Sequence, residues 1–337
     1  MRNPVIYVLI TLILAFSFTP QGFAAEYTFT QLDFPGAALT WGFGINNSGQ
    51  IVGQYKDPAG QTHGFLGTGG SFTTLDVPGA LFTSPSGINN AGQIVGFYLN
   101  TTGGHGFLNT GGTFSTIDVP GATFSTANGI NDLGQIVGDF SLDPGLLGGP
   151  PPATVPLPPT YNATGFLRNP DGTIVPLDVF GLNNQGKGIN NAGQTVGTYG
   201  GFAGFLNTNG TITNIHPPDT NQYVGAVDIN NLGQIVGFVN SVDDFADHGF
   251  LFSGGSFEHI DPPGAFIAYA TGINDQGQIV GYFTDEATSL KHGFLATPQS
   301  SVVVVATPEP ASLVFVGSGL AVLAIFRRRI VRRPVIQ

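Results

Sequence analysis

The sequence predicts an all-β fold made of six copies of one four-stranded unit. Three observations predict it. A ten-residue line recurs six times at near-constant spacing. Glycine and proline, 51 and 24 of 337 residues, punctuate the chain as turn formers between short strands. The two ends of the repeat region also complement each other, one holding a strand that the other lacks.

The recurring line reads Gly87-Ile88-Asn89-Asn90-Ala91-Gly92-Gln93-Ile94-Val95-Gly96, with relatives beginning at Gly44, Gly129, Gly188, Asp228 and Gly272. Its isoleucines, Ile45, Ile88, Ile130, Ile189, Ile229 and Ile273, are 43, 42, 59, 40 and 44 residues apart. The first strand of each unit lies around Gly-Ile-Asn. Asn-x-Gly-Gln then turns the chain, because Asn and Gly tolerate positive φ at little cost. The second strand is Gln-Ile-Val-Gly and an aromatic: Tyr55, Tyr98, Phe140, Tyr199 or Phe283. The third is His63-Gly64-Phe65-Leu66 and its copies at His105, Thr164, Ala203, His248 and His292. The fourth runs through Phe72-Thr73-Thr74-Leu75-Asp76 and stops at Pro78-Gly79, where proline removes a donor. Its apolar pair is three residues apart, which breaks simple alternation and suggests a bulge.

Four strands in about 43 residues is the size of a β-propeller blade. The region opens with Tyr27 to Asp33, a fourth strand without its first three, and closes with His292 to Leu295, a third strand without its fourth. This predicts a six-bladed β-propeller over residues 25–297, closed by its N-terminal strand, with a Pro/Gly-rich insertion at about 143–160. An open β-solenoid or a pair of sandwich-like sheets is the alternative.

The flanks read as addresses. Arg2 precedes an apolar run from Val5 to Phe18, the length of a signal-peptide core, and Gly22-Phe23-Ala24 predicts cleavage after Ala24. Residues 1–24 are thus a signal peptide, with its signal helix. After a linker at 298–307, residues 308–337 hold Pro308-Glu309-Pro310, an apolar stretch from Leu313 to Phe326 and the basic cluster Arg327-Arg328-Arg329. Such a stretch suits a temporary membrane helix with its arginines on the cytoplasmic side. This order resembles the PEP-CTERM sorting signal of Gram-negative bacteria. The resemblance implies an exosortase, a membrane cysteine protease, as partner, and cleavage near the motif after a stay in the inner membrane. The repeat itself resembles the HAF-type extracellular repeat of exported bacterial proteins over about residues 27–295. That resemblance implies an extracellular place and no defined activity.

Charge narrows the partners. Between the two flanks, twenty carboxylates face only Lys56, Arg168, Lys187 and Lys291. Such a surface repels nucleic acid and anionic lipid. The absence of cysteine excludes disulfides, thiolate metal sites and a cysteine nucleophile.

Four histidines, His63, His105, His248 and His292, share one repeat position, which points to a structural hydrogen bond rather than a unique catalytic cluster. The recurring Asp33, Asp76, Asp118, Asp178 and Asp261 fit turn capping. The paired asparagines fit the same reading. The connections from second to third strand vary most, and carry Asp57, Asp139, Asp243, Asp244, Asp247 and Asp285. Gathered on one face, these loops are candidates for ligand binding, with Ca2+ the candidate cofactor. No nucleophile elbow, Walker loop or zincin helix is present, and no non-repeated acid–base cluster is visible.

These readings predict an exported, non-catalytic binding or structural protein of the cell surface or biofilm matrix, with extracellular polysaccharide or another surface protein as partner. The alternative is a hydrolase or lyase acting on polysaccharide. A weaker alternative is ice binding, which a flat Thr-x-Thr array would support; only Thr28-x-Thr30 and Thr211-x-Thr213 fit.

Overall fold

The computed structural model describes residues 26–143, 163–177, 179, 183–200, 203–217, 223–241 and 246–299. The expected signal peptide, linker and sorting tail lie outside the described residues, as does nearly all of the insertion. Among the described residues every regular element is a strand, and no helix is long and apolar enough to cross a membrane.

The chain forms one pattern repeatedly. After β1 (Tyr27–Leu32), an antiparallel sheet holds β2 (Leu39–Ile45), β3 (Ile51–Lys56), β4 (Thr62–Thr68) and β5 (Ser71–Thr74) in sequence order. The second unit holds β6 (Phe82–Ile88), β7 (Ile94–Asn100), β8 (Gly103–Thr110) and β9 (Thr113–Ile117). In the third, the first strand is split into β10 (Phe124–Ser125) and β11 (Gly129–Ile130), followed by β12 (Ile136–Ser141), β13 (Thr164–Arg168) and β14 (Ile174–Pro176). One parallel bridge from Phe124 to Gly104 joins the second and third units.

The fourth sheet is β15 (Asn184–Ile189), β16 (Thr195–Tyr199), β17 (Ala203–Thr208) and β18 (Thr211–Ile215). The fifth is β19 (Val224–Ile229), β20 (Ile235–Asn240), β21 (Asp247–Ser253) and β22 (Ser256–His259). The last chain segment gives β23 (Ala265–Ile273), β24 (Ile279–Asp285) and β25 (Lys291–Pro298). Its fourth strand is β1, which pairs antiparallel with β25 from Tyr27↔Pro298 to Leu32↔Gly293. Gln299 N then donates to Glu26 O, so the pairing passes the boundary expected at residue 297.

The bulge expected in the fourth strand is absent, and its apolar spacing has another cause. Neighbouring residues of a strand face opposite sides, so side chains three apart point opposite ways. Phe72 packs with Ile45, Ile51 and Phe65 of its own sheet and Val280 of the last, whereas Leu75 packs with Val77, Ile88 and Phe107 of the next. Phe114 and Ile117, and Phe257 and Ile260, divide between clusters in the same way. So do Phe29 and Leu32 of β1, which join the last sheet's core to the first sheet's. The odd spacing is thus the signature of a strand pressed between two sheets.

The bulges occur instead in the first strands. Pairing slips by one residue at Gly42/Gly44, Pro85/Gly87, Gly186/Gly188, Ala226/Asp228 and Ala270/Gly272. Each leaves one residue unopposed: Phe43, Ser86, Lys187, Val227 or Thr271.

The paired asparagines do more than turn the chain. Asn46 Oδ1 accepts from the Ser48 and Gln50 amides, and Asn46 Nδ2 donates to Asn89 O of the next unit at 3.1 Å. Asn89 reaches Asn131 O, Asn131 reaches Asn190 O, Asn190 reaches Asn230 O, and Asn230 reaches Asn274 O. Asn274 returns to Asn46 O at 3.1 Å. A second circuit runs beside it, in which each backbone amide of Asn47, Asn90, Asp132, Asn191, Asn231 and Asp275 donates to the following side chain. Burial raises the Asp132 carboxyl, but hydrogen bonds from Asn191 and Asn90 outweigh it and hold the group below its usual range.

Candidate functional site

The recurring histidine and aspartate are each other's partners. His63 Nδ1 lies 2.7 Å from Asp76 Oδ2, His105 2.9 Å from Asp118, His248 2.8 Å from Asp261, and His292 2.9 Å from Asp33 of β1. Asp76 Oδ1 also accepts the Gly64 amide. The carboxylate therefore holds the third strand, rather than capping the Pro-Gly turn. Tyr55, Tyr98 and Phe283 stack beside these histidines and are buried, as the core reading expects.

Of the six carboxylates expected to share a loop face, the four among the described residues separate into different settings. Asp57 accepts the Gln61 amide of its own loop, and Asp285 accepts the Thr288 amide and hydroxyl. Both engage their own turns. Asp247 is not in a loop: it opens β21 and accepts from Tyr269 Oη and Asn240 Nδ2. Asp139 is not in a loop either. It lies inside β12 and is 2 % exposed. The error came from counting the connection from Val-Gly onward, whereas this strand continues to Ser141. Asp243 and Asp244, like Ala24, Pro308, Glu309, Pro310, Arg327, Arg328 and Arg329, lie outside the described residues. Among the described residues, the one group close enough to hold a metal is His248, His259 and Asp261, and it includes a His–Asp pair already made.

The functional candidate is a cavity of about 300 Å³ between the first strands. Phe43, Ser86, Lys187, Val227 and Thr271 line it, with Asn128 at the break between β10 and β11, whereas Phe266, unopposed at a further slip between Ala265 and Ile267, is exposed and does not. A bulge re-aims a side chain, and here it turns one residue per unit inward. The other wall comes from cross-strand neighbours: Ser84↔Phe97, Gln185↔Thr198, Gly225↔Phe238 and Tyr269↔Tyr282, with Thr126 bonded to Asp139 in the third unit. Trp41↔Gln54 holds the same register in the first unit. Trp41 Nε1 and Gln54 Oε1 are buried there without a hydrogen-bond partner.

These positions do not repeat. The residues that fill the cores and turns recur, while the lining changes in every unit. That contrast is the sequence signal for the site, which lies in the positions that vary and not in those that recur. The lining divides into sectors. Tyr223, Phe238, Tyr269, Tyr282 and Phe43 form one aromatic arc, with successive ring centroids 5.5, 4.7, 4.8 and 6.2 Å apart. Phe82, Phe97 and Phe124 form a second, at 5.9 and 5.3 Å. Between Phe124 and Tyr223 lies a polar sector. There Asn128 Nδ2 donates to Asp139 Oδ1 at 2.7 Å, and Lys187 Nζ stands 3.6 Å from the same oxygen. A non-repeated charged cluster thus exists after all.

Asp228 replaces the glycine of five other units at the floor. Those glycines are needed because adjacent first strands nearly touch: a Cβ at Gly44 would lie 3.0 Å from Ser86 O. Asp228 fits by turning its carboxylate to the Ile229 and Ile273 amides at 2.9 and 3.0 Å. Burial pushes its carboxyl up to about 7 despite both bonds. Burial and the bond to Asp247 push the Tyr269 hydroxyl up as well. Below the cavity, the six repeat isoleucines form a collar. Beyond it a depression of about 60 Å³ opens among the asparagines.

Solved β-propellers resemble this chain. Virginiamycin B lyase from Staphylococcus aureus is 14% identical, with 80% of this chain and 99% of that chain covered and a TM-score of 0.45. A streptogramin B lyase structure is 13% identical over 80% and 97%, with a TM-score of 0.44. A six-bladed β-propeller lectin from Aleuria aurantia that recognises fucose is 9% identical over 81% and 100%, with a TM-score of 0.41. No family model and no curated protein matches the chain.

Proposed function

We propose that this chain is an exported, non-catalytic binding protein whose described residues form a six-bladed propeller closed by β1. The pairing of β1 with β25 and the return of both asparagine circuits to their start support that closure. The observation that carries the binding reading is the cavity lining: a scaffold that repeats everywhere else has an inner wall of aromatic and buried polar side chains in which no unit copies another. Ligand sites are mostly apolar concavities with a few placed polar groups, and this one fits that description. The export signal ending at Ala24 and the tail at Pro308-Glu309-Pro310 place the site outside the inner membrane in this reading, in the matrix or at the surface, after exosortase cleavage.

The second reading is an extracellular lyase or hydrolase. Asp139, Lys187 and Asp228 favour it, being charged, non-repeated and in one cavity. Against it, Asp139 is engaged by Asn128 and Lys187, and Asp228 by two backbone amides, so neither is poised toward a guest. One experiment separates the two. Polysaccharides and glycans are incubated with the protein, with and without Ca2+, and both retention and product formation are measured. Retention without products is expected. Turnover abolished by Asp139→Asn would replace the binding reading with the enzymatic one.

A further inference from the structure

We infer that the cavity takes the terminal sugar of a glycan, as one uncharged pyranose ring. This rests on the binding reading above and names its ligand class. The isoleucine collar narrows one end of the space, where Ile45, Ile88, Ile130 and Asp228 line both it and the depression of about 60 Å³ beyond. A site that narrows in this way receives the end of a chain more readily than a segment of its middle. At about 300 Å³ the space is at the low end for a ligand pocket, which limits the guest to one or two rings.

The walls specify the chemistry. A pyranose has two apolar C–H faces and a rim of hydroxyls, and each hydroxyl both donates and accepts. The two aromatic arcs supply flat apolar surface for the faces. The polar lining supplies donors and acceptors together: Lys187 and the Gln185 amide nitrogen donate, the Gln185 and Asn128 amide oxygens accept, and the Ser84, Ser86 and Thr198 hydroxyls do either. The charged groups that line the space are already engaged: Lys187 stands against Asp139, and Asp228 accepts two backbone amides.

The chain's one tryptophan, Trp41, lies in β2 two residues before the lining residue Phe43 and serves as a nearby reporter. Trp41 emission from the full chain is titrated with the methyl glycosides of glucose, galactose, mannose, fucose and N-acetylglucosamine. Tetramethylammonium, acetate and a cyclodextrin, which has no chain end, serve as contrasts. A saturable response to at least one glycoside is expected, with none to the cyclodextrin. Gln185→Ala should weaken it at least tenfold, and Asp57→Asn by less than twofold. If Gln185→Ala lowers the melting temperature, Ser86→Ala replaces it. A response to tetramethylammonium or acetate alone overturns the sugar and leaves the binding reading standing. Equal affinity for the cyclodextrin overturns the assignment to a chain end. Silence from the whole panel, with no polysaccharide or glycan retained in the assay above, overturns both readings.

Discussion

Replacing Phe29 and Leu32 of β1 by alanine removes the two side chains that join the last sheet to the first. Phe29 sits 5.9 Å from Phe294 in one core cluster, and Leu32 packs with Ile45, Phe65 and Val280 in another. Full truncation of a buried Phe or Leu costs about 2–5 kcal/mol. Both residues are half-buried, so about 2 kcal/mol for Phe29 and about 1.5 kcal/mol for Leu32 are expected on that scale. They share no cluster, so the losses should add to about 3–4 kcal/mol. For a domain of this size that is a fall in Tm of roughly 10 °C, at about 2–4 °C per kcal/mol. Thr30→Ala, exposed on the same strand, should stay within about 0.5 kcal/mol. The assay is urea unfolding followed by Trp41 emission, with the m-value unchanged. A double variant losing under about 1 kcal/mol, where the bookkeeping gives three times that, would refute the view that β1 completes the last sheet.

Four further outcomes follow from the same geometry. Asn131→Ala removes the acceptor for the Leu133 and Gln135 amides and the donor to Asn190 O, and should cost about 2–4 kcal/mol by denaturation as several buried partners are orphaned together. Asp228→Gly restores the residue found in the other units. Because the native carboxyl titrates near 7, well above an unfolded aspartate, the native state holds the extra proton, and stability falls as pH rises from about 4 to about 7. The glycine variant should therefore gain on the parent across that window and hold the gain at pH 8; a pH-independent difference in melting temperature would contradict this. A double-mutant cycle on Asp33 and His292, partners at 2.9 Å and partly exposed, should give a coupling of about 0.5–1 kcal/mol by thermal melts. Glu309→Ala in cells that export the chain should leave uncleaved protein in the inner membrane, seen by fractionation and blotting. Normal release would remove the sorting proposal.

The strand order was legible because it depends on local chemistry. Asn46 to Gln50 turns the chain by Asx bonding, with Gly49 at a φ of 71°, and nothing distant is needed to see it. The pairing of β1 with β25 was legible for a different reason, since complementary halves of one repeat can be counted. Three features were not. Phe72 and Leu75 looked like a bulge because alternation was judged against one buried face, when the strand has two. Asp139 looked like a loop residue because its burial depends on Asn128 and Lys187, which come from outside β12. The inner wall was hidden most deeply. Its residues share no motif, and only the first-strand bulges bring Phe43, Ser86 and Lys187 to one space.

Those bulges divide labour within each strand. Residues on the regular part of the ladder lock sheet to sheet, and exchanging them disturbs two cores at once. The single unopposed residue at each slip belongs to neither core. Five such residues around one hollow, with Asn128 at the strand break as a sixth inward position, let the chain acquire a different appetite by a few substitutions while its masonry stays as it was. A library confined to the six inward positions should therefore yield soluble, folded variants far more often than one confined to the fourth strands.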